Sequence, residues 1–169
     1  MARFLQLIPH GTKSPLTILL SPASQIFTLE YAPVAALVKY LFYPAEELLD
    51  VHWHGHLTGA GIIRGVEQAT HWHDQLHYSF ILNDERDNGG DWRNTLPRLQ
   101  HEWLPTAVQA GVKAIAYVFT PKFEHRFASQ DFVGAVCPYL AIELFDDLET
   151  AVAWLAIQRS SQILGYSAV

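Results

Sequence analysis

The stretch that decides the fold runs over residues 102–155. It opens with EWLPTAVQAG (102–111), continues with the apolar run AIAYVF (114–119), and later reads AIELF (141–145) and DDLETAVAWL (146–155). Apolar residues at helical spacing alternate here with short, continuous apolar runs. This alternation is typical of helices that connect buried strands. The stretch therefore predicts an α/β fold.

The segment before this stretch supplies a hairpin and a helix. Residues 38–43 are rich in aromatic and branched side chains and predict a strand. Residues 48–57 alternate between apolar and polar side chains, as a half-buried strand with an antiparallel neighbour does. Thr58 predicts an N-cap for a helix that ends between Trp72 and Leu76.

A central strand and a second helix follow. The short apolar run 78–82 predicts a strand that is covered on both faces. The charged run 83–91 predicts a loop at the carboxyl end of that strand. A helix to residue 110 comes next, with Pro97 in its first turn and a kink at Pro105. Gly111 is suited to end it.

Two further helices are predicted in the last third of the chain. A short one covers residues 129–137, because Ser129 is suited to begin it and Pro138 to end it. The final helix carries a buried stripe of apolar residues. Asp146 and Glu149 predict a capping box at its start.

The composition fits one acidic domain of ordinary size. The chain has 169 residues and a formal net charge of −6, and domains typically hold ~100–200 residues. An acidic chain lacks the basic field of non-specific nucleic-acid binders, so no nucleic-acid partner is expected. No apolar run reaches the ~18 residues of a membrane span, so no membrane partner is expected. The run 16–20 is shorter than the core of a signal peptide, which predicts a cytoplasmic protein.

Histidines are the most conspicuous candidate ligands. His52, His54 and His56 share the polar face of the second strand. Side chains at i and i+2 lie ~7 Å apart, close enough for two imidazoles to bind one zinc ion. His73 and His77 have the i, i+4 spacing of a helical metal pair, provided that the helix reaches His77. These five residues are the candidate zinc ligands, and the alternative is a solvated strand face without a metal.

The charged run after the central strand lies where open α/β sheets gather binding residues. It offers paired carboxylates beside an arginine, either for a partner or simply as a solvated loop. No nucleophile motif, phosphate-binding loop or dinucleotide fingerprint accompanies it, so we predict no catalytic residue. The candidate partner-binding residues are Asp84, Glu85, Arg86, Asp87, Asp91 and Trp92.

Three motifs go beyond a generic α/β pattern. They are EWLP (102–105) leading into AGVK (110–113), the closing FDDLExAxxWL (145–155) and the strand motif VxWxG (51–55). Together they resemble the STAS-like domain family, a group of bacterial proteins related in fold to anti-sigma-factor antagonists. The resemblance covers roughly residues 36–157. It implies a β-β-α-β-α-β-α-β-α order with a four- or five-stranded mixed sheet and helices packed against it.

The resemblance also divides the chain. It implies a STAS-like domain at residues 36–158. Residues 1–35 are then an N-terminal arm or extra strands, and residues 159–169 a C-terminal tail.

The role that the resemblance implies is regulatory or protein-binding more than catalytic. Antagonists of this family are switched by a phosphorylatable Ser or Thr in the loop after the central strand. Residues 83–92 contain neither, so that switch does not carry over. Only 17% of the residues are charged, against ~25% in typical soluble domains, which favours a surface covered by a protein partner or by a second copy in a homodimer.

We therefore predict a non-catalytic module that binds a protein. Two alternatives stay open. One is a small zinc-binding protein that uses His52 and His54. The other is a carrier of a small apolar ligand, held between sheet and helices.

Overall fold

The computed structural model describes residues 25–31, 36–90, 93–120 and 140–163. Within them, one sheet has helices on both faces. Its strands are β1 (Gln25–Tyr31), β2 (Ala36–Tyr43), β3 (Leu48–Gly55), β4 (Phe80–Asn88), β5 (Ala114–Val118) and β6 (Ala141–Phe145).

The strands lie side by side in chain order. β1, β2 and β3 are antiparallel neighbours, whereas β3 to β6 run parallel. The predicted α/β fold with a mixed sheet is confirmed in β2 to β6. At the edge, β1 makes the described sheet six-stranded, and it comes from the segment that was predicted as an arm or extra strands.

The β2–β3 hairpin closes through a 3₁₀ turn at Pro44–Glu46. Glu47 ends the turn with a left-handed φ of 49°. In the antiparallel register, Tyr40 lies opposite Val51. The register confirms the predicted hairpin and sends alternate side chains of β3 to opposite faces of the sheet.

Helix α1 (Gly59–Leu76) begins and ends where the sequence predicts. The Thr58 hydroxyl accepts a hydrogen bond from a first-turn backbone N–H at 3.3 Å, as an N-cap does. The helix lies so close to the sheet that a Cβ on Gly65 would stand 2.6 Å from the Trp53 ring. Tyr40 donates its hydroxyl hydrogen to the Gly65 carbonyl at 2.8 Å and so ties helix to strand.

Helix α2 (96–110) changes its winding part-way along. It consists of Leu96–Arg98 in α form, Leu99–Trp103 in π form and Leu104–Ala110 in α form. Pro105 follows the π turn directly and supplies no backbone N–H, so the predicted disturbance at the proline takes the form of a wider turn ahead of it. Gly111 ends the helix with φ of 105°, as predicted.

Helix α3 (Leu148–Ile163) packs on the other face of the sheet. Its N-cap is Asp147, whose carboxylate accepts the backbone N–H of Thr150 at 2.8 Å. The predicted capping box of Asp146 and Glu149 is therefore wrong by one position. The helix starts one residue later, which puts Asp147 and not Asp146 at the residue where the N–H groups of the first turn converge.

Two apolar layers hold these elements together. Tyr40, Trp53 and Ile115 belong to the layer between the sheet and helices α1 and α2. Leu82 and Val152 belong to the layer between the sheet and α3. Full burial of one such side chain stabilises a fold by about 1.5–3 kcal/mol, so both layers contribute substantially.

Strand β4 is longer than the sequence predicts. Residue 83 was expected to begin a loop, but the strand continues to Asn88. Its pairing with β3 shifts register between His52 and His54, so an extra residue of β4 is taken up as a bulge. Polar side chains are tolerated in a covered strand when they find partners, and Asn83, Asp84 and Glu85 do so, as described below.

Some predictions fall on residues outside the described ranges. They concern the segment before residue 25, the short helix at 129–137 and the end of the charged run at 91–92. The domain boundaries stay predictions, although α3 runs past residue 158 to Ile163.

Candidate functional site

A buried ionic group lies on the sheet face that α3 also covers. Asp50 is fully buried, and its Oδ2 lies 2.9 Å from His52 Nε2. The other ring nitrogen, His52 Nδ1, lies 3.5 Å from Asp84 Oδ2 on the next strand. Residues at i and i+2 share a strand face, and His52 pairs with Asp84 across the strands. Strand geometry thus brings these three side chains together.

Arg86 completes what we call the ionic cluster: Asp50, His52, Asp84 and Arg86. Its Nε and Nη2 donate to the two carboxylate oxygens of Asp84 at 2.8 and 2.7 Å. This bidentate geometry is the strongest that Arg and a carboxylate form. The backbone N–H of Arg86 also donates to Asp84, at 3.2 Å. The arginine head is therefore held firmly at the carboxyl end of β4.

Burial and pairing set the protonation of the ionic cluster. Burial raises the pKa of Asp50, and the hydrogen bond from His52 offsets this only in part. Burial alone would lower the pKa of His52, but the hydrogen bond and charge of Asp50, with the charge of Asp84, raise it. Burial would raise the pKa of Asp84, but its bonds to Arg86 and the charge of His52 lower it. His52 therefore keeps its proton to higher pH than a free histidine does.

The ionic cluster borders what we call the edge surface, which consists of His54, Asp87 and the shared residue Arg86. The side chain of Asp87 is 72% exposed, and those of His54 and Arg86 are each 36% exposed. His54 Nδ1 lies 3.3 Å from Asp87 Oδ2. The edge surface is thus a mixed-charge patch, and the buried ion pairs of the ionic cluster lie beneath it.

The structure divides the predicted partner-binding residues. Asp84 and Glu85 are buried, so the prediction that they lie in an exposed loop is wrong. They belong to β4, where hydrogen bonds from neighbouring side chains compensate for their burial. Arg86 and Asp87 do reach the surface. Two of the predicted residues lie outside the described ranges: Asp91 and Trp92.

The helix does not extend far enough to carry both histidines of the predicted helical pair. Helix α1 ends at Leu76, and His77 adopts a left-handed φ of 51° as its C-cap. His73 is buried, and its Nε2 lies 2.8 Å from the carbonyl oxygen of Tyr78. The condition for the helical pair, a helix that reaches His77, is therefore not met. The His73 and His77 ring centroids lie 6.3 Å apart, and the pair stays a prediction as zinc ligands.

The three strand histidines were the other candidate zinc ligands. The His52 and His54 rings are stacked with centroids 6.1 Å apart, while His56 lies beyond the end of β3. Both ring nitrogens of His52 face carboxylates, and zinc sites need three or four convergent ligands. In the described part of the chain, no group of three or more His, Cys, Asp or Glu is arranged to hold a metal. The zinc hypothesis stays a prediction.

A second polar group lies on the opposite face, between the sheet and helices α1 and α2. Trp53 Nε1 donates to Asn83 Oδ1 at 2.6 Å, and Asn83 Nδ2 donates to Glu85 Oε1 at 2.8 Å. We call these three residues the carboxylate network, and they line a cavity of about 40 Å³. The alternation along residues 48–57 predicts Trp53 on the apolar face of its strand and no polar partner for it. The missed signal is an amide and a carboxylate at the inward positions that follow Ile81 on β4.

Comparison with known proteins gives one firm assignment. Among the helices of the described residues, none is long and apolar enough to cross a membrane. No curated protein and no solved structure matches the chain significantly. A family model, SpoIIAA-like, matches residues 48–156, more than half of the 169 residues. This match contains both polar groups and confirms the resemblance drawn from the sequence motifs: the chain belongs to the SpoIIAA-like family.

Proposed function

We propose that this chain is a non-catalytic regulatory module that binds a protein partner through its edge surface. Family membership supports the general role, since SpoIIAA-like domains typically bind proteins. The observation that carries the proposal is the 72% exposure of the Asp87 side chain beside His54 and Arg86. The strand below that side chain is fixed by buried ion pairs.

Preorganisation is what makes this patch suitable for recognition. Two hydrogen bonds hold the Arg86 head on Asp84, so little side-chain freedom is lost when a partner binds it. Arg86 and Asp87 present opposite charges side by side. Such a pattern selects a partner with the complementary arrangement and penalises others by like-charge contact.

The ionic cluster supports a positioning role better than a catalytic one. A general base must reach the proton that it removes. His52 has both ring nitrogens turned towards buried carboxylates, and its side chain is only 20% exposed. In this proposal the cluster fixes Arg86 and the end of β4, and it carries out no chemistry.

The test compares what the chain retains in the cells that make it. Tagged wild type, Asp87→Lys and the control Glu149→Lys are purified, and co-purifying proteins are quantified by mass spectrometry. Glu149 is an exposed residue of α3, so it matches the charge reversal away from the edge surface. The proposal expects a specific partner, or an untagged copy of the chain, to fall about tenfold or more with Asp87→Lys alone. Equal retention by all three proteins would contradict it.

A further inference from the structure

An open groove of about 210 Å³ lies between helices α1 and α2. Apolar side chains of both helices line it, Ile63 and Val66 from α1 and Leu99 and Trp103 from α2. Its volume lies below the ~300 Å³ at which drug-sized pockets begin. The groove therefore has room for one or two large side chains of a partner and not for a drug-sized molecule.

The two threonines that line the groove have hydroxyl groups bonded within their own helices. Thr70 donates its hydroxyl hydrogen to the carbonyl oxygen of Val66 at 3.0 Å, and Thr106 donates to that of Glu102 at 3.0 Å. A hydroxyl that bonds one turn back along its helix is satisfied locally. An apolar side chain can therefore enter the groove without leaving these two donors unpaired.

Three charged side chains that line the groove form what we call the acidic rim: Glu67, Arg98 and Glu102. Arg98 Nη2 donates to Glu67 Oε1 of α1 at 2.9 Å, and Arg98 Nε donates to Glu102 Oε2 at 2.8 Å. Two carboxylates share one guanidinium, so the rim carries one negative charge in excess. The three side chains are between 51% and 67% exposed. Exposed ion pairs contribute little to stability, so an incoming cation can pair with either glutamate at small cost.

We infer that this groove docks a basic amphipathic helix of a partner protein. The apolar side chains of that helix enter the groove, and its Lys or Arg side chains pair with the acidic rim. An apolar groove between two helices is the geometry in which amphipathic helices bind, and charge complementarity selects a basic one. A second copy of this chain suits the groove less, because each copy carries a net charge of −6 and like charges oppose association. The docking site goes beyond the proposed role of the edge surface and shares no residue with it.

Three labelled peptides of about 15 residues on an alanine background test the inference. The first carries Leu at i, i+4 spacing with Lys beside each Leu. The second replaces each Lys by Glu, and the third keeps Lys and replaces each Leu by Ala. The full chain is titrated into each peptide by fluorescence anisotropy in about 150 mM salt, where distant charges are screened. Wild type is expected to bind the first peptide about tenfold or more tightly than the other two. No binding of the first peptide, or equal binding of the first and either of the others, would overturn the inference.

Two matched double variants locate the basic peptide. Glu67→Gln with Glu102→Gln keeps the size of both side chains and is expected to lose the preference for Lys over Glu in the peptide. Asp74→Asn with Glu149→Gln removes two exposed carboxylates that do not line the groove, and it is expected to keep that preference. Loss of the preference in the second double variant, or its survival in the first, would place the peptide elsewhere and refute the site.

The edge-surface variant separates this inference from the proposed function. Asp87 does not line the groove, so Asp87→Lys is expected to bind the first peptide with the preference of wild type. Loss of that preference in Asp87→Lys would mean that the peptide binds at the edge surface, which would refute the groove as its site while leaving the proposed function intact.

Discussion

His52 is a residue whose protonation affects the stability of this fold. Asp50 and Asp84 raise its pKa above the ordinary value of 6.5, against the effect of burial and of Lys39. A raised histidine pKa contributes stability that is fully present below pH 6.5 and is lost as the pH rises through the folded-state value. The free energy of unfolding of wild type should therefore exceed that of His52→Gln most at low pH. We expect the difference to shrink as the pH rises from 6.5 through the raised pKa of His52 in the folded state.

Urea unfolding at several pH values measures this difference. The control is His71→Gln, which replaces an exposed histidine of α1. A difference between wild type and His52→Gln that stays constant, or that grows with pH, would mean that Asp50 and Asp84 do not hold the proton on His52.

Gly90 is fixed by a close approach of backbone to backbone. A Cβ built there would stand 1.7 Å from the carbonyl oxygen of Leu57, whereas one on Gly89 meets nothing nearer than His56 Nδ1 at 4.0 Å. Gly90→Ala should therefore lower the free energy of unfolding by about 2 kcal/mol or more, while Gly89→Ala should stay near wild type. Chemical denaturation of both variants checks this. Similar losses in the two would show that the chain does not pass so close to Leu57.

At the scale of elements, β4 is where the predicted loop and the observed strand differ most clearly in what an experiment would show. Asn83 and Asp84 pair with both β3 and β5, so their backbone N–H groups should exchange with solvent as slowly as that of Leu82. We expect protection on the order of a thousandfold or more over the turn at Pro44–Glu46. Hydrogen exchange followed by NMR measures this residue by residue. Fast exchange from residue 83 onward would contradict the strand and support the predicted loop.

Local chemistry explains which elements the sequence could predict. Thr58 and Gly111 mark their helix ends through their own side chain or backbone freedom, and the alternation in β3 needs only its immediate neighbours. The end of β4 depends on distant partners instead. Asp84 is stabilised in a strand by His52, from another strand, and no local pattern announces that pairing. The one-residue error at Asp147 has a simpler cause, since Asp146 and Asp147 are equally good caps by type.

Across the whole molecule, the sheet separates two sites that the sequence could not tell apart. Residues 83 to 86 alternate in direction, so Asp84 and Arg86 belong to the ionic cluster and Glu85 to the cavity wall. From sequence alone they form one charged run with one expected role. Of the predicted partner-binding residues within the described ranges, Arg86 and Asp87 reach the surface, and their binding role stays a prediction. The sheet face on which each buried residue of the charged run lies could be assigned only from the strand register.

The edge surface is the central claim, and photo-crosslinking in living cells tests it most directly. A photoreactive amino acid replaces Asp87 in one variant and Lys113 in the other. Lys113 is exposed and lies just before β5, at the opposite end of the parallel strands. The account predicts a discrete crosslinked product from position 87 and none from position 113, with a mass that reveals a different protein or a second copy. No product from position 87, or the same product from both positions, would contradict the account.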